Sequence, residues 1–159
     1  MKKIPQDIIG EIAILKFPRS TLWLTKKLKA KKFLRQNKTI KTILEKTGKF
    51  SGRLRTPKTK WLAGIKTKKT TYKENDCIFK FDIDETYFSP RLSNERKLAA
   101  DEVLRISKKI KNPKILVMFA GIGPYPITIA KRLKQNKIKA KITLNEINKK
   151  ANKYAKENI

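Results

Sequence analysis

The stretch Lys114–Ala130, KILVMFAGIGPYPITIA, decides the reading of this chain, because a short apolar strand runs into a glycine loop and then, without a pause, into a helix. Residues 140–147, AKITLNEI, supply a second strand, and NKKANKYAKENI a further helix. The order is strand, loop, helix, strand, helix, the opening of a doubly wound α/β sheet. The glycines of Ala120-Gly121-Ile122-Gly123 let backbone approach a ligand without a Cβ in the way, although a packing turn uses the same residues. Glu146 falls at the end of the second strand, where an acidic residue accepts hydrogen bonds from ribose hydroxyls or, more plainly, favours the start of the next helix.

Upstream, Asn112-Pro113 stops a helix predicted through LSNERKLAADEVLRISKKI, with Leu98, Val103, Leu104 and Ile106 as its apolar contacts and Ser89-Pro90 as N-cap and first turn. TTYKEN and CIFKFDID read as two strands joined at Asn75-Asp76. Residues 8–17, IIGEIAILKF, read as one strand closed by Pro18. The segment from Thr21 to Gln36 reads as an amphipathic helix using Leu22, Leu24, Leu28, Phe33 and Leu34. TIKTILEK alternates weakly, GKFSG marks a turn, and RLRTPKTKWLAG is a basic segment. Trp23, Trp61 and Tyr72 are expected as core anchors rather than stacking platforms.

Across 159 residues, 41 Lys and Arg face 13 Asp and Glu, a formal net charge of +28. Between Pro18 and Tyr72 the one acidic residue is Glu45. So one-sided a charge is the footprint of a polyanion partner, although a lysine-rich solvated surface is the plainer alternative. The chain has one cysteine, Cys77, and no histidine. An internal disulfide is thereby excluded, the commonest general base is missing, and no metal site is expected. No run is long and apolar enough to span a bilayer, and the amino-terminal stretch is broken by Pro5, Asp7 and Glu11, so a cytoplasmic chain without membrane contact is expected.

Taken together, DIIGEIAIL, LRTPKTKWLAG, TTYKEN, FKFDIDETYFSPRLSNER, MFAGIGPYPITIA and NEIN…YAKENI resemble the archaeal and eukaryotic tRNA (guanine-37-N1)-methyltransferases. The resemblance implies a class I, Rossmann-like methyltransferase fold, S-adenosylmethionine as donor, and methylation of N1 of the guanine beside the anticodon of tRNA. It implies Glu95 as the base that removes the N1 proton and Arg55 as the group steadying charge on O6. It further implies Tyr87, Arg91, Phe119, Gly121, Gly123 and Glu146 around the cofactor, and Arg53, Arg55 and Arg96 toward RNA. Alone, Glu95 reads as an ordinary first-turn helix residue and Arg55 as a phosphate contact. The chain departs from the family pattern at Val117, where many relatives carry aspartate, and at Lys149, where proline is common.

The expected organisation is a basic α+β tRNA-binding module over residues 1–85, followed over 86–159 by the beginning of an S-adenosylmethionine-dependent methyltransferase domain. Two parallel strands make too small a sheet for such a domain, so a complementary chain, or a further carboxyl-terminal part of the same protein, is expected to supply the rest. Two rivals stay open. One is the related transferase that moves the aminocarboxypropyl group of the same cofactor in wybutosine synthesis, and the other is a non-catalytic RNA-binding protein.

Overall fold

The computed structural model describes residues 4–48, 52, 54 and 56–159. Strands β1 (Gln6–Ile9) and β2 (Ile12–Leu15) are followed by helix α1 (Trp23–Gln36), then β3 (Thr42–Lys46) and β4 (Thr59–Gly64). These strands form a sheet in the order β1-β2-β3-β4, in which β2 and β3 are parallel and the outer pairs antiparallel. Helix α1 is the crossover that a parallel pair requires.

All four residues of β2, IAIL, are buried. The pleat divides them: Ala13 and Leu15 join Ala30 of α1 and Ile40, Ile43, Leu62 and Ala63 on one face, while Ile12 and Ile14 join Leu44, Phe79 and Phe81 on the other. A strand covered on both faces shows no alternation of polar and apolar residues, which is why this one reads as a plain apolar run.

Hairpin β5 (Lys69–Glu74) and β6 (Cys77–Asp82) turns at Asn75 and Asp76, both at positive φ, as the sequence predicts. Its inner residues Cys77, Phe79 and Phe81 lie in the cluster that also takes Ile122 and Ala151, so this core draws on both sides of residue 85. A 3-10 turn at Pro90–Leu92 leads into α2 (Ser93–Ser107), then β7 (Lys114–Val117), α3 (Pro124–Gln135), β8 (Lys141–Leu144) and α4 (Lys149–Glu157). Strands β7 and β8 are parallel. Ala100, Leu104, Ile129 and Leu133 of α2 and α3 cover one face of this pair, against Ile115, Val117 and Ile142.

The predicted strand over residues 8–17 is instead the β1-β2 hairpin. Gly10, at φ +58°, turns the chain, and a Cβ there would stand 2.1 Å from the Thr71 carbonyl oxygen. Ser89 is the N-cap position and Pro90 the first-turn proline of the 3-10 turn that runs into α2, but the Ser89 side chain makes no capping bond and α2 itself starts at Ser93. Leu98 and Ile106 point outward, and the buried positions of α2 are Arg96, Ala100, Leu104 and Ser107. On α1 the leucines at 22, 24 and 28 are exposed, and Ala30, Phe33 and Leu34 make the contact. Trp23, expected as a core anchor, is 40% exposed, with the Lys60 ammonium 4.4 Å from its ring centre. Thr59–Gly64, read only as basic, is the edge strand β4. The predicted turn GKFSG falls largely outside the described residues.

Candidate cofactor and catalytic site

The crevice of an open α/β sheet forms beyond the carboxyl ends of its strands. Here β7 ends at Val117, and the loop that follows is unusual in its backbone. Phe119 adopts φ +54°, a left-handed conformation uncommon for a bulky residue, and its side chain is 85% exposed. Gly121 follows at φ +57°; a Cβ at this position would meet one neighbour, the Tyr87 carbonyl oxygen at 3.7 Å. Gly123 is different: its φ of +87° and the closeness of Ile127 and Ala155 make it a helix-packing glycine at the start of α3, buried under that helix.

Glu146, at the end of β8, reaches across to this loop. One carboxylate oxygen accepts from the Gly121 N–H at 2.7 Å, and the other from the Asn148 N–H, also at 2.7 Å. The cap of α4 is Asn148, whose side-chain oxygen accepts from the backbone of Lys150 and Ala151. Glu146 therefore ties the glycine loop to the β8-α4 turn rather than capping the helix. Each carboxylate oxygen has a second lone-pair direction for a hydroxyl donor.

The segment Asp82–Arg91 runs past this loop and is pinned on both sides. Asp84 accepts from the Thr59 hydroxyl at 2.6 Å and pairs with Lys68, fixing it to β4. Glu85 pairs with Lys150 and accepts from the Tyr154 hydroxyl at 3.2 Å, while its carbonyl accepts from Asn148, fixing it to α4. The Lys150 ammonium holds the Glu85 carboxyl below its ordinary range, against the effect of burial. Burial, then Glu85, pushes the Tyr154 phenol up to about 12.

Between this segment and the first sheet lies a cavity of about 290 Å³, whose lining includes Asp7, Lys16, Thr59, Phe81, Tyr87 and Arg91. Arg91 and Lys16 both reach the Asp7 carboxylate, at 2.5 and 2.9 Å. Burial opposes ionisation of Asp7, but the two cations outweigh it and keep its carboxyl below the usual range.

The fold thus gathers Tyr87, Phe119, Gly121 and Glu146 at one crevice and puts Arg91 on the neighbouring cavity wall. Glu95 is exposed in the first turn of α2, four residues beyond Arg91. Arg96, expected to face RNA, is instead 2% exposed and bonded to Glu74, so its guanidinium is closed to a ligand. Arg53 and Arg55 lie outside the described residues. Sequence reasoning missed Glu74, Asp84 and Glu85; their one signal is that they are acidic residues in a chain that has few. Among the described residues there is no cluster of His, Cys, Asp and Glu that would hold a metal, and no helix is long and apolar enough to cross a membrane.

Residues 70–159 match the family described as the TRM5/TYW2 methyltransferase domain. The chain is 49% identical over 128 residues to a tRNA (guanine(37)-N(1))/4-demethylwyosine(37)-methyltransferase, Taw22, of Nanoarchaeum equitans, covering 80% of this chain and 40% of that protein. It is 34% identical over 154 residues to the tRNA (guanine(37)-N(1))-methyltransferase Trm5b of Pyrococcus abyssi, covering 96% of this chain and 42% of the relative. Among solved structures, that of aTrm5 in complex with tRNALeu superposes with a TM-score of 0.79 at 29% identity, over 99% of this chain and 43% of that one. The crystal structure of the Pyrococcus abyssi Trm5b superposes with a TM-score of 0.73 at 34% identity, over 98% of this chain and 43% of that one. The chain spans about two fifths of the length of the proteins it matches. From its hairpin, glycine loop and paired parallel strands, as from the match over more than half its length, this chain belongs to the TRM5/TYW2 methyltransferase family.

Proposed function

We propose that this chain is the part of a tRNA (guanine-37-N1)-methyltransferase that holds the base-facing acid and the opening of the S-adenosylmethionine site. The observation carrying this is the meeting of four groups beyond the end of β7: the exposed, left-handed Phe119, the open Gly121, the Tyr87 backbone and the Glu146 carboxylate. These residues fit an adenosine-bearing cofactor: a flat exposed ring, a loop position free of side chain, and a carboxylate with unused lone pairs for a ribose diol. Phe119, Gly121, Tyr87 and Glu146 would hold it, with Arg91 nearby; Gly123 contributes by starting α3. When bound, S-adenosylmethionine supplies an electrophilic methyl group.

Glu95 takes the proton from guanine N1, and Arg55 donates to O6 as charge develops there. The exposed position of Glu95 suits a group that must meet a base brought out of its stack. Residues 1–85 serve as the tRNA-binding module and 86–159 as the start of the methyltransferase domain, within a cytoplasmic protein. Glu45, the lone carboxylate from Pro18 to Tyr72, supports the first part of this, since it is buried and paired with Lys26 at 2.7 Å and so adds no negative charge to the surface of that stretch. A complementary polypeptide completes the parallel sheet over the exposed side of β7 and β8, where Leu116 is 62% exposed.

Methyl-labelled S-adenosylmethionine, tRNA and the completed enzyme test the whole reading. Label should reach guanine 37, be lost when that base is replaced, and fall by about 100-fold or more in Glu95→Gln with cofactor affinity kept. Transfer of carboxyl label instead would establish the aminocarboxypropyl reaction. For residues 1–85, tRNA affinity of the chain should fall steeply with salt, as counterion release demands; affinity absent at low salt would remove the RNA-binding module.

A further inference from the structure

The tip of the β5-β6 hairpin grips the start of α2 at two points. Glu74, the last residue of β5, takes the Arg96 guanidinium in a two-point bond, with Nε at 2.5 Å from one carboxylate oxygen and Nη2 at 2.7 Å from the other. Both side chains are 2% exposed. Next to them, the Asn75 side-chain amide donates to the Ser93 carbonyl at 3.0 Å. Arg96 then spreads the hold further. Its Nη2 also donates to the Ser89 carbonyl at 3.0 Å, and the guanidinium lies 5.1 Å from the ring centre of Phe88 and 6.0 Å from that of Tyr125, in the first turn of α3.

A buried ion pair is a poor means of gaining stability, since taking two charges out of water costs about as much as their attraction returns, and apolar residues of like volume often do as well. What the planar, five-donor guanidinium adds is direction. Here that direction is spent on the Phe88–Arg91 segment, which walls the cavity beside the glycine loop, and on the helical turn that carries Glu95.

We propose that Glu74 is a positioning residue of the site: by orienting Arg96 it fixes both the Phe88–Arg91 wall and the first turn of α2, and so sets where Glu95 meets its substrate. The role of Glu95 in this statement rests on the function proposed above; the fixing of the two segments does not. Arg96 is thus an internal strut, reaching neither substrate nor RNA itself.

The test separates direction from stability by replacing the pair with apolar residues, Glu74→Leu with Arg96→Met, beside the milder Glu74→Gln. Backbone amide exchange in this chain should quicken tenfold or more within residues 87–97 of the double variant, with far-ultraviolet circular dichroism unchanged and exchange in β2 and β3 as in the parent. In the completed enzyme, single-turnover methyl transfer should fall at least tenfold in the same variant, while the KM for tRNA stays near that of the parent. Adding Glu95→Gln should cost far less in that background than in the parent, because the base is already misplaced. A folded double variant with parental exchange over 87–97 would overturn the proposal, as would a parental transfer rate or full additivity with Glu95→Gln. Should the double variant fail to fold, Glu74→Gln decides by the same two readings. An inactive parent would defeat the proposed reaction alone, and the exchange measurement would still decide the positioning role.

Discussion

Two four-residue strands of this chain, both mainly aliphatic and both in a parallel pair, meet opposite fates. Strand β2, IAIL, has a neighbour on each side and a layer over each face, and all four residues are buried. Strand β7, KILV, pairs with β8 alone, and its residues alternate between exposed and half-buried because α2 and α3 cover one face only. Burial is a property of the neighbours, and an apolar strand without them leaves its surface in water. The region containing β2 is therefore a finished core, while the region containing β7 carries the crevice and an apolar side left in water.

The largest effect that tests this contrast comes from truncating one leucine in each strand. Leu15→Ala removes a side chain buried between β2 and α1 and should cost about 3 kcal/mol of stability, whereas Leu116→Ala should change it by less than about 0.5 kcal/mol. Urea titration of the two variants reads both, and equal losses would show β7 to be packed as β2 is.

The turn glycines sharpen the comparison. Gly10 and Gly123 both have positive φ, but a Cβ at Gly10 would strike the Thr71 backbone at 2.1 Å, while one at Gly123 would meet the end of the Ile127 side chain at 2.9 Å. Backbone cannot move aside as a side-chain methyl can. Gly10→Ala should therefore cost more than about 2 kcal/mol, and Gly123→Ala about 1 kcal/mol, little beyond the left-handed strain itself. The reverse order by thermal unfolding would mean that the glycine loop is the more tightly packed of the two.

The smallest effect concerns the tie between α4 and the pinned segment. Tyr154 has its phenol raised to about 12 by burial and by Glu85, so its contribution to stability is complete below the ordinary tyrosine value of 10.0 and is lost as pH rises through 12. Ultraviolet difference spectra should show Tyr154 titrating late, as should Tyr72, whose phenol burial also raises, and Glu85→Gln should bring Tyr154 earlier while leaving Tyr72 as it was. An unchanged titration in that variant would leave burial, with the neighbouring Asp82 and Glu157 carboxylates, as the cause.

Much of the architecture was legible in the sequence. The strand, glycine loop, helix, strand and helix from Lys114 onward follow their punctuation, as does the hairpin at Asn75-Asp76. Errors arose where local pattern was asked to decide a face. Leucines among the lysines of α1 looked like its packing stripe, yet the sheet accepts Ala30, Phe33 and Leu34, because a helix laid close on a sheet has room for a small residue at the contact. Within α2, Val103 and Leu104 pack inward as the spacing predicts, while Leu98 and Ile106 are exposed because Ala100 and the charged Arg96 fill the rest of its inner side.

What the sequence determined by itself is the family, the order of elements from Lys69 onward and the excess of basic residues, all of which depend on residue type and spacing along the chain. Tertiary structure alone decided that Arg96 is an internal strut, that Glu146 holds the glycine loop, and that Asp84 and Glu85 pin one segment to two layers. Each of these depends on a partner 22 to 65 residues away, and the orientation of a charged side chain is set by the counter-charge that folding brings to it.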